Sequence, residues 1–338
     1  MCRVRPGGAV RPCAARGAWI IVPEARLSAS EAVWVLADPR AGTAAQALGI
    51  AERLGVPFRS IDLEWGPLAA LPWPWPSLAG LAPAARAAIA PPWPRLVVSA
   101  GRRAAPVSRW LRRRGARTVH CMRPGAGAAD FDLLVIGRHD DPAPAPNVLP
   151  ILGATHRISP AALEAARAAW PALEALPRPR VAMLLGGAVR GEGMDPAEAL
   201  EIAERVLPHA GTVLATTSRR TGEAAGAALA ARLAGMPGML HRWGASGPNP
   251  YAGFLAVADA VVVTGDSVSM LSEALATAAP VFVAGAPPDA PRHWALHAAL
   301  FAAGRAVPLD AFPEAPPRAP LDESGRVAAI IRARFLDG

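Results

Sequence analysis

The segment from Val261 to Val283, "VVVTGDSVSMLSEALATAAPVFV", sets Asp266, Ser267 and Ser269 in a tight polar turn between an apolar run and a helical pattern, with Glu273 one helical turn further on. Two chemistries suit such a turn. Ser267 as a nucleophile needs the elbow G-x-S-x-G, whose second glycine allows close packing, followed by an acid and a histidine. Here the fifth position is Ser269, the β-branched Val268 follows the serine, and His293 and His297 stand four apart with no acid to orient them. "GDS" also opens another esterase signature, but the late D-x-x-H which that signature requires is missing. A phosphate cradle needs less. A helix starting after Ser267 points its free N–H groups and the positive end of its dipole at the turn. Ser267 and Ser269 add hydroxyls, Asp266 can cap, and Glu273 can accept from a ribose hydroxyl. From the turn alone, Ser267 as the plain N-cap of a buried helix stands beside that reading.

Other junctions repeat the pattern. Gly186 and Gly187 follow "VAMLL" in "LLGGAVRG", where glycine lets a ligand approach the backbone, although the run is not G-x-G-x-x-G. "ATTSRRTGEAA" places Thr217, Ser218, Arg219, Arg220 and Thr221 between a strand and a helix, as an anion-binding loop or as a solvated turn capped by Thr221. Nearer the start, Asp38, Gly42 and Gln46 occupy one such junction, and Gly101, Arg102 and Arg103 another. Glycine with hydroxyls or arginines at so many strand–turn–helix junctions exceeds what capping alone requires. His139 and Asp140 end the run "DLLVIG" and are weak catalytic candidates. A His-Asp pair without further ligands is not a metal site, so none is expected. His293-x-x-x-His297 lacks the glutamate of HExxH and reads as a helix surface.

The elements that must hold these turns alternate. "AVWVLA", "FRSIDL", "RLVVSA", "RTVHCM" and "DLLVIG" read as strands, with helices over "TAAQALGIAERLG", closed by Gly55, and over "PAARAAIA" and "APVSRWLRRRG". "LPWPWP" is too rich in proline for either and reads as a loop. A second series runs through "VAMLL", a helix from Pro196 to Leu207, "TVLAT", a helix from Gly222 to Leu233, "GMLHRW", "VVVT", "VFVA" and a last helix near Glu323–Phe335. Alternation of this kind predicts βαβ units and parallel sheets. With 338 residues, the chain exceeds the reach of a single core. The expected architecture is α/β, with a Rossmann-like domain over 31–160, a linker helix and Pro-rich linker over 161–180, and a Rossmann-like nucleotide-binding domain over 181–338. The two domains face each other across a cleft at their strands' carboxyl ends.

Composition narrows the partners. Apolar residues make up 52% of the chain and charged residues 18%, enough for packed cores, and no charge-free apolar run is long enough to span a bilayer. The net charge is +8 with no lysine at all, the bias of a GC-rich, bacterium-like genome. Scattered arginines without an aromatic or groove-reading motif do not suggest nucleic acid; they suit anionic ligands or an acidic membrane surface. Three cysteines without metal spacing point to a reducing cytoplasm. Residues 1–30 carry five arginines against Glu24 and no periodicity, which reads as a disordered or mis-started extension.

Taken together, "VLADPRAGTAAQALGIAERLG", "LVVSAGRRAAPVSRWLRR", "FDLLVIGRHDDP", "VAMLLGG", "TTSRRT" and "NPYAGFLAVADAVVVTGDSVSMLSEA" resemble the mitochondrial fission protein family of the plant elongated-mitochondria type, which has many bacterial members. Where that family carries a D-G-K-A-G-N turn, this chain has Asp38-Pro39-Arg40-Ala41-Gly42-Thr43. The resemblance implies recruitment of a dynamin-like protein in plant members, hence a non-catalytic adaptor in membrane fission or remodelling. More distantly, the second half is similar to GT-B glycosyltransferases of the peptidoglycan lipid-linked type. That likeness implies a metal-independent glycosyltransferase of cell-envelope metabolism, with a nucleotide diphosphate or nucleotide sugar as ligand and no tightly bound cofactor. On it, Gly186, Gly187, Ser218 to Thr221, Ser267, Ser269 and Glu273 line the donor site, joined by Thr217, Asn249, Tyr251 and Asp266. The expected partners are a nucleotide-type small molecule and, peripherally at the inner membrane, anionic lipid or a protein.

Overall fold

The computed structural model describes residues 32–71, 73–187, 193–285 and 290–337; the expected N-terminal extension and residues 188–191 of "LLGGAVRG" lie outside these. The first half contains β1 (Val33–Ala37), α1 (Ala41–Ala51), β2 (Arg59–Asp62), α2 (Pro83–Ala87), β3 (Leu96–Ala100), α3 (Ala105–Arg112), β4 (Arg117–Cys121), β5 (Leu133–Gly137) and β6 (Val148–Ile151). Its strands form one parallel sheet in the order β2-β1-β3-β4-β5-β6. β1, β3 and β5 are buried along their whole length, which is why they read as unbroken apolar runs and not as alternating ones.

The second half follows with α4 (Pro160–Ala169), α5 (Pro171–Glu174), β7 (Arg180–Leu185), α6 (Pro196–Val206), β8 (Thr212–Thr217), α7 (Glu223–Leu233), β9 (Gly238–His241) and α8 (Tyr251–Val257). It continues with β10 (Ala260–Thr264), α9 (Val268–Leu275), β11 (Val281–Ala284), α10 (Pro291–Ala302), β12 (Val307–Pro308) and α11 (Glu323–Ile331). The second sheet is also parallel, in the order β12-β11-β10-β7-β8-β9. Strand order reverses between β7 and β10, so the loops after those strands open onto a crevice. Two Rossmann-like sheets are thus present, as expected from the alternation.

Three local expectations change. α1 ends at Ala51, and the chain turns before Gly55, whose φ of 70° suits glycine. In the 161–180 segment the linker helix is present as α4, but Pro171 starts a second, short α5, and Leu173 and Trp170 pack into the second core beside Phe254. The third change concerns the chain end. The helix read with the second series packs on the first sheet, where Val327, Ala328 and Ile331 join Val33, Val35, Ile50 and Leu54 in one core. Its apolar stripe shows that one face is covered but not by which half. Residues 323–331 therefore belong with the first half, a correction to the 181–338 boundary.

Candidate functional site

The switch point of the second sheet is stitched by short contacts. The Gly186 amide donates to Thr264 Oγ1 at 2.7 Å, joining the ends of β7 and β10. Thr221 is buried; its hydroxyl reaches the Leu185 carbonyl at 2.9 Å and the Gly186 carbonyl at 2.5 Å, and accepts from the Ser218 amide at 2.9 Å. Ser218 Oγ accepts from the Arg220 amide at 3.1 Å. Gly187, at φ 153°, has no room for a Cβ because the Arg220 carbonyl oxygen lies there. The turn 218–221 is thereby clamped onto β7, and Ser218, Arg219 and Arg220 line the cleft beside it.

Across the switch point, Ser267 is extended and its Oγ accepts from the Met270 amide at 3.3 Å, so it caps α9. Asp266 is buried behind it. Arg220 Nη2 lies 2.6 Å from Asp266 Oδ2, close enough for an ion pair but without hydrogen-bond geometry, so neither Asp266 oxygen receives a hydrogen bond from the described residues. The first half closes the other wall. A Cβ on Gly42 would stand 3.1 Å from Ser269 Oγ, so the starts of α1 and α9 nearly touch. Ser272 Oγ accepts from the Ala154 amide at 2.9 Å, and a Cβ on Gly153 would be only 2.6 Å from that oxygen.

Between these walls lies a cavity of about 470 Å³ bordered by Gly42, Gln46, Arg219, Arg220, Ser267 and Ser269. A second cavity of about 710 Å³ shares Arg40, His139, Asp140 and Arg292 with it and adds Arg102, Arg103 and Arg123. Seven arginines thus face three acids, Asp140, Asp141 and Asp266, around this space. Arg292 pairs with Asp140 across the cleft, and Arg123 donates to the Asp140 carbonyl and, at 2.9 Å, to that of Asp141. Arg102, Arg103 and Arg219 have no ion pair among the described residues. Such a field concentrates anions. Two cleft residues also hold uncommon backbone, Met122 at φ 74° and Asp141 at φ 47°.

Burial holds the imidazoles of His139, His293 and His297 below the usual histidine range. Burial lowers the pKa of His139, opposed by Asp140 and assisted by Arg292 and His293, and its Nδ1 has no hydrogen-bond partner among the described residues. Burial likewise lowers that of His293, against the pull of Asp266. His297 is not on a helix surface, as its sequence context suggested. It is buried, with Nε2 2.8 Å from the Gly265 carbonyl oxygen, because a histidine one turn along from His293 faces the same turn.

Several expected ligand groups are used inside the protein. The Tyr251 hydroxyl donates to Glu273 Oε2 at 2.6 Å, and Glu273 does not border the cavity. Glu273 keeps part of its surface exposed, yet burial of its carboxyl, partly offset by that hydrogen bond, pushes its pKa up to about 7. Asn249 Oδ1 accepts from the Tyr251 amide at 3.0 Å, so this pair shapes the start of α8. Thr217 Oγ1 accepts from the Trp243 amide at 2.9 Å. Asp38 is taken by Arg40 at 2.8 Å and by Trp65 Nε1 at 3.2 Å. Burial raises its pKa, but the Arg40 contacts outweigh this and the net shift is downward. Gly101, at φ 83°, packs on Thr43. Sequence reasoning missed Arg40, Met122, Arg123, Arg292 and His293 as cleft residues. Arg292 had a signal: a cation in the first turn of a helix opposes its dipole and needs another reason to be there. No group of three metal-ligating side chains occurs among the described residues, nor any helix long and apolar enough to cross a membrane.

With this geometry established, residues 41–335 match the family described as "Mitochondrial fission ELM1". The chain belongs to that family. The Arabidopsis thaliana mitochondrial fission protein ELM1 is 31% identical over 223 residues, which are 57% of this chain and 52% of that protein, so the chain spans about half the length of the curated relative it matches. Among solved structures, the UDP-GlcNAc 2-epimerase of Methanocaldococcus jannaschii aligns with a TM-score of 0.53 at 12% identity, covering 89% of this chain and 98% of that one. The Neisseria meningitidis enzyme, bound to UDP-GlcNAc, aligns at 0.52 with 12% identity, covering 90% and 100%. At such identity the likeness establishes the fold. This ELM1-family chain is GT-B-like, with both sheets and the intervening cleft in place.

Proposed function

We propose that the cleft binds the diphosphate of a nucleotide or nucleotide sugar, with Arg219, Arg220 and the start of α9 as its anion cradle. The observation that carries this reading is the convergence of Arg40, Arg219, Arg220 and Arg292 on a cavity of about 470 Å³ beside the Ser267 cap, at the switch point of the sheet. Similar folds that hold UDP-GlcNAc support a nucleotide-type ligand. Helix dipole and guanidinium groups can stabilise a leaving diphosphate without a metal, so glycosyl transfer in cell-envelope metabolism fits the same cradle, and chelation should leave affinity unchanged. Thermal-shift screening against UDP, GDP, ADP and their sugars tests it. At a ligand concentration about a hundredfold above Kd, the stabilisation is about 2.7 kcal/mol. No stabilisation by any of these at millimolar concentration would sink the reading.

The second reading is a non-catalytic adaptor in membrane fission or remodelling. The internal use of Glu273, Asp38 and Thr217 favours it, since three groups expected to meet ligand are spent on structure. An adaptor would retain its cellular activity after Arg219→Ala, whereas a nucleotide-dependent protein would lose it.

A further inference from the structure

A third cavity, of about 370 Å³, is bordered by residues of the first half. Its walls include Trp65, Leu71, Trp73, Pro106 and Val107, and its mouth carries Arg102 and Arg103. The walls offer little to a polar ligand. The Trp73 indole N–H is already given to the Leu68 carbonyl at 2.9 Å, and that of Trp65 to Asp38 at 3.2 Å. Around the mouth, Leu68, Leu71 and Trp75 are about half exposed, at 46%, 52% and 55%. Trp75 meets Trp73 edge to face with ring centroids 6.0 Å apart, so rim and wall form one apolar surface. Arg102 and Arg103 are exposed, have no ion pair among the described residues, and also border the cleft-side cavity of about 710 Å³.

We infer that this slot takes an acyl chain of an anionic bilayer phospholipid, with the lipid phosphate at Arg102 and Arg103 and with Leu68, Leu71 and Trp75 set into the interface. A cavity walled mainly by tryptophan, leucine, proline and valine, bordered by two guanidinium groups that have no ion pair among the described residues, matches an amphiphile with one charged end. The exposed rim decides for a bilayer over a dissolved amphiphile. A soluble ligand gains nothing from leucine and tryptophan outside the cavity, whereas a membrane interface covers such side chains and favours tryptophan at the headgroup level. Arginines beside them add attraction to anionic headgroups. The inference does not depend on nucleotide binding, because no residue of the 218–221 turn or of α9 borders the slot.

Co-flotation of the full chain with vesicles of phosphatidylcholine, alone or mixed with phosphatidylglycerol, tests the surface. Binding is expected on the mixed vesicles and little on the neutral ones. Arg102→Ala with Arg103→Ala should lower the partition coefficient on the order of tenfold or more, and lysine at both positions should restore most of it. Trp75→Ala should weaken binding and remove part of the quenching of tryptophan fluorescence by brominated lipid. For the slot, Ala126→Trp fills the exposed edge of the cavity without changing charge, and should abolish saturable uptake of a short-chain phosphatidylglycerol. Thermal melts matching the parent protein confirm folding of each variant. Equal binding to both vesicle types would overturn the inference, as would unaltered lipid uptake by Ala126→Trp. So would variants that lose a protein partner while still floating with vesicles.

Discussion

Gly187 shows how narrowly the site is specified at the scale of one residue. Its φ of 153° and the Arg220 carbonyl oxygen in the place of a Cβ leave room for glycine alone. Gly187→Ala should therefore push the 218–221 turn off β7 and destabilise the fold by about 2 kcal/mol or more, read as a lower urea midpoint at unchanged slope. Glu273 makes a second prediction. Its carboxyl is held neutral in the folded protein up to a pKa of about 7, against an ordinary value of 4.5. Between these values the native state binds the extra proton, so stability falls as pH rises through that window and is lowest above it. Glu273→Gln keeps an acceptor for Tyr251, and should stabilise the protein at pH 8, by on the order of 2 kcal/mol, and much less at pH 5. A gain independent of pH would show that the carboxyl is solvated. Composition and spacing identified which turns carry polar residues, but not which hydroxyls point inward. Thr217, Thr221 and Asn249 look as available in sequence as Ser267 or Ser269 do. Their partners, Trp243, Gly186 and Tyr251, are set by side-chain direction and not by residue type.

At the scale of elements, the fully buried strands β1, β3, β5, β7 and β10 were the most legible, since both faces are covered and their apolar runs end at polar turns. β6 was not, because "VLPI" contains proline and lies at the sheet edge. α9 starts where the sequence puts it, and Ser267→Ala should cost about 1 kcal/mol of stability through the lost cap, by denaturant titration. A cost in nucleotide affinity on top of that would separate ligand contact from capping. β4 holds a pH effect of opposite sign to that of Glu273. His120 is buried with Nδ1 2.8 Å from Ser99 Oγ, and burial lowers its pKa to about 3; burial lowers that of His156 to about 4. Below about pH 6.5 the unfolded chain takes up protons that these imidazoles refuse, so stability falls on acidification by up to about 1.4 kcal/mol per pH unit per histidine. His120→Asn keeps a partner for Ser99 and should flatten the loss between pH 6.5 and 4. An unchanged slope would place the acid sensitivity elsewhere.

At the scale of the whole molecule, the alternation of strands and helices announced two halves, but the last helix could not be assigned from its own residues. Its return to the first sheet makes the first half depend on residues that follow the second. Leu152 donates its amide to Glu323 Oε1 at 2.9 Å, Ser324 Oγ bridges the amide and carbonyl of His156, and Arg332 Nη1 donates to the Leu54 carbonyl at 2.6 Å. Val327 and Ile331 are completely buried. Their burial alone is worth about 1.5–3 kcal/mol each, and the sum with the lost hydrogen bonds approaches the net stability of an ordinary domain of about 5–15 kcal/mol. A chain stopped after Leu321 should therefore lose the first half selectively, because the cores around Val261 and Val262 contain no residue beyond that point. Hydrogen exchange read by mass spectrometry distinguishes the outcomes. β1 and α1 are expected to exchange orders of magnitude faster in the shortened chain, while β7 and β10 keep their protection. If β1 and α1 exchange as slowly as in the full chain, α11 is an addition to a first half that folds without it. If all four segments lose protection together, the halves form a single cooperative unit.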